Sequence, residues 1–235
     1  MNSGTIQLGM KPVAIWPDGL ESEICGDPTI RKVTFTDIQE YHPRLIARIL
    51  ELEENQRLRG RQSRGAGGTR IASPGQWLGP EAELITARAT ALFQKVLECD
   101  RAAIDVSWAN VYRAGDYSMP LSHSRSTASV VYCLDAGDED PEDPHGGHLC
   151  FVDPRLPNCC REQDGCVTAP FYPGMATGSM LIFPSQLVHV VNPYLGKRPR
   201  ITLSWNINKD AVTASPPIMT AESVPNEEIS SPRVS

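Results

Sequence analysis

Gly178–Ile207 reads GSMLIFPSQLVHVVNPYLGKRPRITLSWNI. Three apolar runs, Ser179–Phe183, Leu187–Val191 and Arg200–Ile207, are separated by turn-forming residues that include Pro184, Gly196 and Pro199. Runs this short, rich in β-branched and aromatic residues and bounded by turn formers, read as strands. The stretch also carries two groups with chemistry. His189 is a candidate metal ligand, since a neutral imidazole presents a nitrogen lone pair. Arg200, at the start of the third run, could hold a carboxylate through paired hydrogen bonds. Arg198 is a competitor, but it precedes Pro199 in a turn, so Arg200 is preferred.

Working outward, the same punctuation recurs. Ile104, Val106, Trp108, Asn110 and Tyr112 alternate along one strand, and further strands are expected over Thr127–Leu134, Gly147–Val152 and Cys166–Tyr172. Gly115 and Pro120 mark a turn after the first of them. Upstream the period becomes helical. Pro43 suits a first helical turn, followed by Leu45, Ile46, Ile49, Leu50 and Leu52 up to about Glu54. Pro80 opens a second helix, with Ile85, Ala89, Leu92, Phe93 and Val96 on one face up to about Glu98. Between them the Gly-rich segment Arg57–Arg70 reads as a solvated loop or a substrate lid, ending at Ser73-Pro74-Gly75-Gln76-Trp77. Met1–Cys25 is irregular apart from a short edge strand near Val13–Trp16. The fold class expected is α+β, mainly β: a jelly roll with supporting helices on its N-terminal side. One domain is expected over residues 1–209, with a Ser-, Pro- and Glu-rich disordered tail over 210–235.

A chain of 235 residues with 40% hydrophobic and 21% charged residues suits one well-buried domain. Its net charge of −6 supplies no basic field for nucleic acid, so none is expected as a partner. No run approaches the roughly 20 apolar residues of a membrane span, and Met1–Leu20 lacks a secretory pattern. A cytoplasmic protein acting on a small molecule is the expectation, and a homodimer stays open. The cysteines number 7; Cys133 and Cys150 read as buried thiols. Cys159, Cys160 and Cys166 near His145 and His148 lack the paired spacing of structural zinc sites.

Non-haem iron is commonly held by two histidines and one carboxylate on one face, leaving positions for co-substrate and oxygen. His189 is the late histidine; the early candidate is His123, after the Ile104–Tyr112 strand and its turn. The segments SWANVYRAGDYSMPLSH, SVVYCL, GGHLCFVDPR, LIFPSQLVHVVNPY and RITLSWNI, in that order, cover most of residues 104–208. Together they resemble the small 2-oxoglutarate–Fe(II) oxygenases, relatives of the prolyl-hydroxylase-type double-stranded β-helix enzymes. That resemblance implies Fe(II), 2-oxoglutarate as co-substrate, and oxidative attack on an unactivated C–H bond. It assigns His189 to the late metal ligand, Arg200 to the distal carboxylate of 2-oxoglutarate, and Thr202 to the hydroxyl two residues further along the strand. Tyr132, on SVVYCL, is a further donor candidate or else a buried aromatic. Trp108 and Asn110 are substrate-facing candidates or else core.

The departure from the family pattern falls at Leu121-Ser122-His123, where relatives carry H-x-H or H-x-D. Counted from Gly115, the first ligand position is Leu121 and the second His123. A slip of two residues would make His123 the first and Arg125 the second. Either register lacks one protein ligand, because neither Leu nor a guanidinium has a lone pair to offer. Asp116, His148 and Asp153 are substitutes at other spacings. Three functions stay open on these residues: a hydroxylase acting on an amino acid or derivative, a two-histidine iron enzyme resembling the halogenases, and a non-catalytic module that binds 2-oxoglutarate-like acids.

Overall fold

The computed structural model describes residues 4–57, 68–72, 79–159 and 169–210. Among these, strands β1 (Thr5–Leu8) and β2 (Lys11–Ala14) form a hairpin, followed by β3 (Glu23–Cys25) and β4 (Asp27–Thr34). Helix α1 (His42–Arg57), strand β5 (Thr69–Ala72) and helix α2 (Gly79–Val96) come next. The remaining strands are β6 (Ala103–Tyr112), β7 (Asp116–Leu121), β8 (Ala128–Asp135), β9 (Leu149–Phe151), β10 (Ser179–Pro184), β11 (His189–Tyr194) and β12 (Arg200–Asn208). A seven-stranded sheet in the order β3-β4-β10-β8-β12-β6-β5 faces a three-stranded sheet β7-β11-β9. Every pairing within the two sheets is antiparallel. This is the expected jelly roll, a double-stranded β-helix with helices on one side.

Strand side chains alternate between faces, and the large sheet uses both. Ala109, Val111, Val130, Tyr132, Leu134, Met180, Ile182, Ile201, Leu203, Trp205 and Ile207 join Leu45, Ile49, Ile85, Leu92 and Phe93 in a core on the helix side. Their neighbours Tyr112, Val131, Cys133, Leu181 and Phe183 join Leu149, Phe151, Leu187, Val191 and Tyr194 in a second core between the sheets. Burial on both faces explains why β8 and β12 are buried almost throughout.

Helix α2 buries Ala82, Leu84, Ile85, Arg88, Ala89, Leu92 and Phe93, the stripe its sequence spacing dictates. Arg88 is fully buried with all its donors used. Nε bonds Ile15 O (3.1 Å), Nη1 bonds Asp37 Oδ1 (2.9 Å) and Tyr41 Oη (2.8 Å), and Nη2 bonds Ala14 O (2.8 Å) and Asp37 Oδ2 (2.5 Å). Glu53 on α1 takes both arms of Arg113 (2.8 and 2.7 Å), tying that helix to the β6–β7 turn.

Several expectations change. Arg70, read as part of a loop, sits on β5, where it pairs with Asn110. The turn expected around Pro120 is strand β7, which sits between its own turn and β11. Strands β3 and β4 were not expected at all. The strand expected over Cys166–Tyr172 reduces, among the described residues, to a single bridge from Phe171 to Phe151. The Trp77 loop, Cys160, Cys166 and the tail beyond residue 210 lie outside the described residues.

Candidate active site

Between the sheets lies a cavity of about 640 Å3. On β12 the inward set is Arg200, Thr202, Ser204 and Asn206, all buried, opposite Tyr112, Asn110, Trp108 and Val106 on β6. His189 opens β11 and lies across from Leu121 of β7 on one side and Phe151 of β9 on the other. His123 follows β7, and its backbone N–H donates to Ser185 O (2.7 Å). The backbone thus carries residues distant in sequence to one place. The His123 and His189 rings have centroids 5.5 Å apart.

His189 is 6% exposed, and its Nδ1 lies 2.9 Å from Leu187 O. A carbonyl only accepts, so Nδ1 carries the proton and Nε2 keeps a lone pair; this is how ring orientation is fixed in metal-ligating histidines. Burial pulls the His189 pKa down. The His123 pKa falls to about 4, by burial first and then by the positive charge of His189 and Arg70. Both imidazoles are therefore neutral and able to ligate. Trp108 packs edge-on to His123 (5.5 Å), and the Arg70 guanidinium covers the Trp108 ring (4.2 Å).

At the other end, Arg200 is 3% exposed, with its guanidinium 5.6 Å from the Tyr112 ring centroid. Its Nη1 is sealed from solvent without a hydrogen-bond partner among the described residues. An orphaned buried guanidinium donor is costly, and an anion is the kind of group that would satisfy it. Thr202, next on the same face, accepts a long hydrogen bond from Asn110 Nδ2 (3.5 Å). Burial also pushes the Cys133 thiol up to about 11, with Arg200 opposing. Arg198, the competitor, is turned outward and paired with Asp138 (2.9 Å) and Asp135 (3.2 Å).

Of the sequence-derived candidates, His123, His189, Arg200, Thr202, Trp108 and Asn110 all line the cavity. Tyr132 does not. It lies one residue out of phase with Val131 and Cys133, on the helix side, where its hydroxyl is 2.6 Å from His42 Nε2 and 3.1 Å from Tyr41 Oη. The substitute ligands fail as well. Asp153 takes both arms of Arg155 (2.8 and 2.5 Å) and the Val188 N–H (2.8 Å), which hold its carboxyl far below the usual range. Asp116 accepts from Arg113 N (2.8 Å), and neither it nor His148 lines the cavity. Among the described residues, no group of three His, Cys, Asp or Glu is placed to hold a metal ion together. Sequence reading missed Arg70, Ser204 and Asn206. The β12 alternation alone could have found the last two.

The donor set offers a buried cation that could take a carboxylate, and two imidazoles of the kind that suit iron. No helix of the described residues is long and apolar enough to cross a membrane. Among solved structures, AviO1 from Streptomyces viridochromogenes Tue57 superposes with a TM-score of 0.56 at 15% identity, covering 80% of this chain and 93% of that one. A prolyl hydroxylase from Trichoplax adhaerens, in complex with a hypoxia inducible factor peptide, gives 0.51 at 16%, covering 76% and 84%. The viral collagen prolyl hydroxylase vCPH from Paramecium Bursaria Chlorella virus-1 gives 0.50 at 13%, covering 79% and 99%. These likenesses are of fold. No curated protein gives a significant sequence match. Residues 106–206, which supply both histidines and Arg200, match the family described as "Putative 2OG-Fe(II) oxygenase".

Proposed function

We propose that His189 (through Nε2) and His123 hold the iron, and that Arg200 with the Thr202 hydroxyl holds the distal carboxylate of 2-oxoglutarate. The observation that carries this reading is the sealed, unpartnered Nη1 of Arg200 in the same cavity as two neutral imidazoles. When bound, the metal and co-substrate supply oxidative attack on an unactivated C–H bond. The chain's own residues do the rest. The Leu187 carbonyl fixes the His189 ring, and Phe151 and Phe183 pack their rings near it (6.5 and 5.0 Å) and exclude water. Trp108 and Asn110 face the substrate.

The reaction proposed is hydroxylation of a small molecule such as an amino acid or a derivative. A cavity of about 640 Å3 suits a small substrate beside the co-substrate. The test loads the protein with Fe(II) without oxygen and titrates 2-oxoglutarate, following binding by calorimetry. Oxygen is then admitted with free amino acids or with short peptides, and succinate is measured. Succinate formation stimulated by free amino acids and not by peptides supports the proposal. Stimulation by peptides alone overturns the small-molecule substrate. Failure of 2-oxoglutarate to bind overturns the site. Binding of the acid with no turnover points instead to an acid-binding module, the reading that Leu121 favours.

A further inference from the structure

The inward face of β12 is polar along its whole length. Arg200, Thr202, Ser204 and Asn206 line the cavity, each at most 5% exposed, while Ile201, Leu203, Trp205 and Ile207 fill the core on the helix side. Arg200 and Asn206 stand six residues apart on this strand, roughly 20 Å at about 3.3 Å per residue, further than a five-carbon diacid reaches. A co-substrate held at Arg200 therefore leaves the Asn206 end of the cavity free.

At that end two buried side chains keep donors in hand. The Ser129 hydroxyl of β8, 2% exposed, donates to Asn206 Oδ1 (2.9 Å), which leaves its oxygen to accept from the Ser185 hydroxyl (2.9 Å). The Asn206 amide is thereby held in place with its Nδ2 hydrogens unpartnered among the described residues. The Ser204 hydroxyl, next on the same face, has no hydrogen bond among them either. Ser185 also accepts the His123 N–H on its carbonyl (2.7 Å), so one residue ties the amide to the segment that carries an imidazole. Trp108, across from Ser204, packs edge-on to that imidazole (5.5 Å).

We infer that Asn206, with Ser204 beside it, orients the substrate: the Nδ2 hydrogens donate to a carboxylate or amide carbonyl oxygen of the substrate and set which of its C–H bonds faces the imidazole pair. The inference rests on the function proposed above, which puts 2-oxoglutarate at Arg200 and iron at His123 and His189. Donors fixed in a buried cavity call for an acceptor, and both kinds of oxygen accept. A free amino acid supplies the first kind, an amidated derivative the second.

The test takes the full-length protein with Mn2+ in place of iron and with saturating 2-oxoglutarate, and titrates it calorimetrically with free amino acids and with their primary amides. The compound that wild type binds most tightly is then titrated into Asn206→Leu and Asn206→Asp, and 2-oxoglutarate is titrated into all three proteins. Asn206→Leu should bind that compound about tenfold or more weakly, with the 2-oxoglutarate Kd changed by less than about twofold. A carboxylate acceptor predicts a further loss in Asn206→Asp, whose added charge repels it. An amide acceptor predicts recovery there, since the amide N–H can donate to the added carboxylate. Wild-type affinity for the compound in Asn206→Leu overturns the inference. So does the loss of compound and 2-oxoglutarate together in both variants, which would make Asn206 part of the fold or of the co-substrate end. A wild type that binds 2-oxoglutarate but no amino acid or amide overturns the inference and leaves the Arg200 assignment standing. One that binds no 2-oxoglutarate overturns both.

Discussion

Replacing Arg200 by Met should make the empty protein more stable and ruin acid binding. The two effects have separate origins. In the ligand-free fold, Arg200 is 3% exposed and its Nη1 is sealed without a partner. An unsatisfied buried polar group costs about 1–3 kcal/mol, whereas a Met of similar reach keeps the packing of the stem against Tyr112 and Gly147. Removing the charge should therefore raise the melting temperature by about 2–12 °C, taking roughly 2–4 °C per kcal/mol for a chain of this size. In the bound state proposed above, the guanidinium would be the partner of a desolvated carboxylate. Deleting one side of such a pair costs about 2–5 kcal/mol, or a roughly 30-fold to several thousand-fold weaker Kd. The assay is a pair of thermal melts, one with chelator alone and one with Mn2+ and 2-oxoglutarate, plus calorimetry. Wild type should gain about 2.7 kcal/mol at a ligand concentration 100 times Kd, and the variant almost none. A variant that melts lower than wild type without ligand, yet is still raised by 2-oxoglutarate, refutes the reasoning. Arg200 would then be a structural cation.

Three further perturbations follow from the same geometry. Gly147 has φ +70, and a Cβ there would meet Tyr194 Cδ2 at 2.7 Å and Arg200 Cδ at 3.0 Å, so Gly147→Ala should lower stability by about 1–3 kcal/mol in urea titration and weaken 2-oxoglutarate binding. Burial holds the His42 pKa at about 4. Its proton is taken up more readily by the unfolded chain, so stability is full above about pH 6.5 and declines toward pH 4. Between pH 7 and pH 5, His42→Gln should lose about 2 kcal/mol less than wild type, measured from urea midpoints. Arg88→Ala strands Asp37 and two backbone carbonyls, and should cost about 3–5 kcal/mol in the same titration.

Much of this was legible in the sequence, and the failures have physical reasons. The strands of Gly178–Ile207 announce themselves because β10 and β12 are buried on both faces, which demands near-continuous apolar sequence. The residues Asp116–Leu121 hid a strand because DYSMPL has no apolar alternation; β7 lies in the small sheet beside β11, and four of its six residues are not buried. Strand β4 was missed for a similar cause: DPTIRKVT buries only Ile30 and Val33. Tyr132 was misplaced by parity. Its neighbours Val131 and Cys133 face the inter-sheet core while Tyr132 faces the helices, and a strand apolar on both faces gives no sign of which set points inward. Arg200 escaped that ambiguity because its rival Arg198 precedes Pro199 in a turn while Arg200 opens the strand.

The protein contains two buried Arg–His arrangements on opposite faces of one sheet, and hydrogen-bond accounting tells them apart. On the helix side, all five N–H groups of Arg88 are used. Arg88 can only donate to Tyr41, so the Tyr41 proton is left for Tyr132, and the Tyr132 proton for His42 Nε2. That network closes on itself and pins β8 to the helices. On the cavity side the same residue types end in open valences: Nε2 of His189 keeps its lone pair, and Nη1 of Arg200 has no acceptor. A fold gains nothing by leaving such groups unmet, since apolar residues of the same size would serve the core better. Arg31 Nε, Thr86 Oγ1, Trp205 Nε1 and Asn208 Nδ2 are also sealed without a partner among the described residues, so what supports the proposed acid site is the place of the open Arg200 donor, in one cavity with the His189 lone pair.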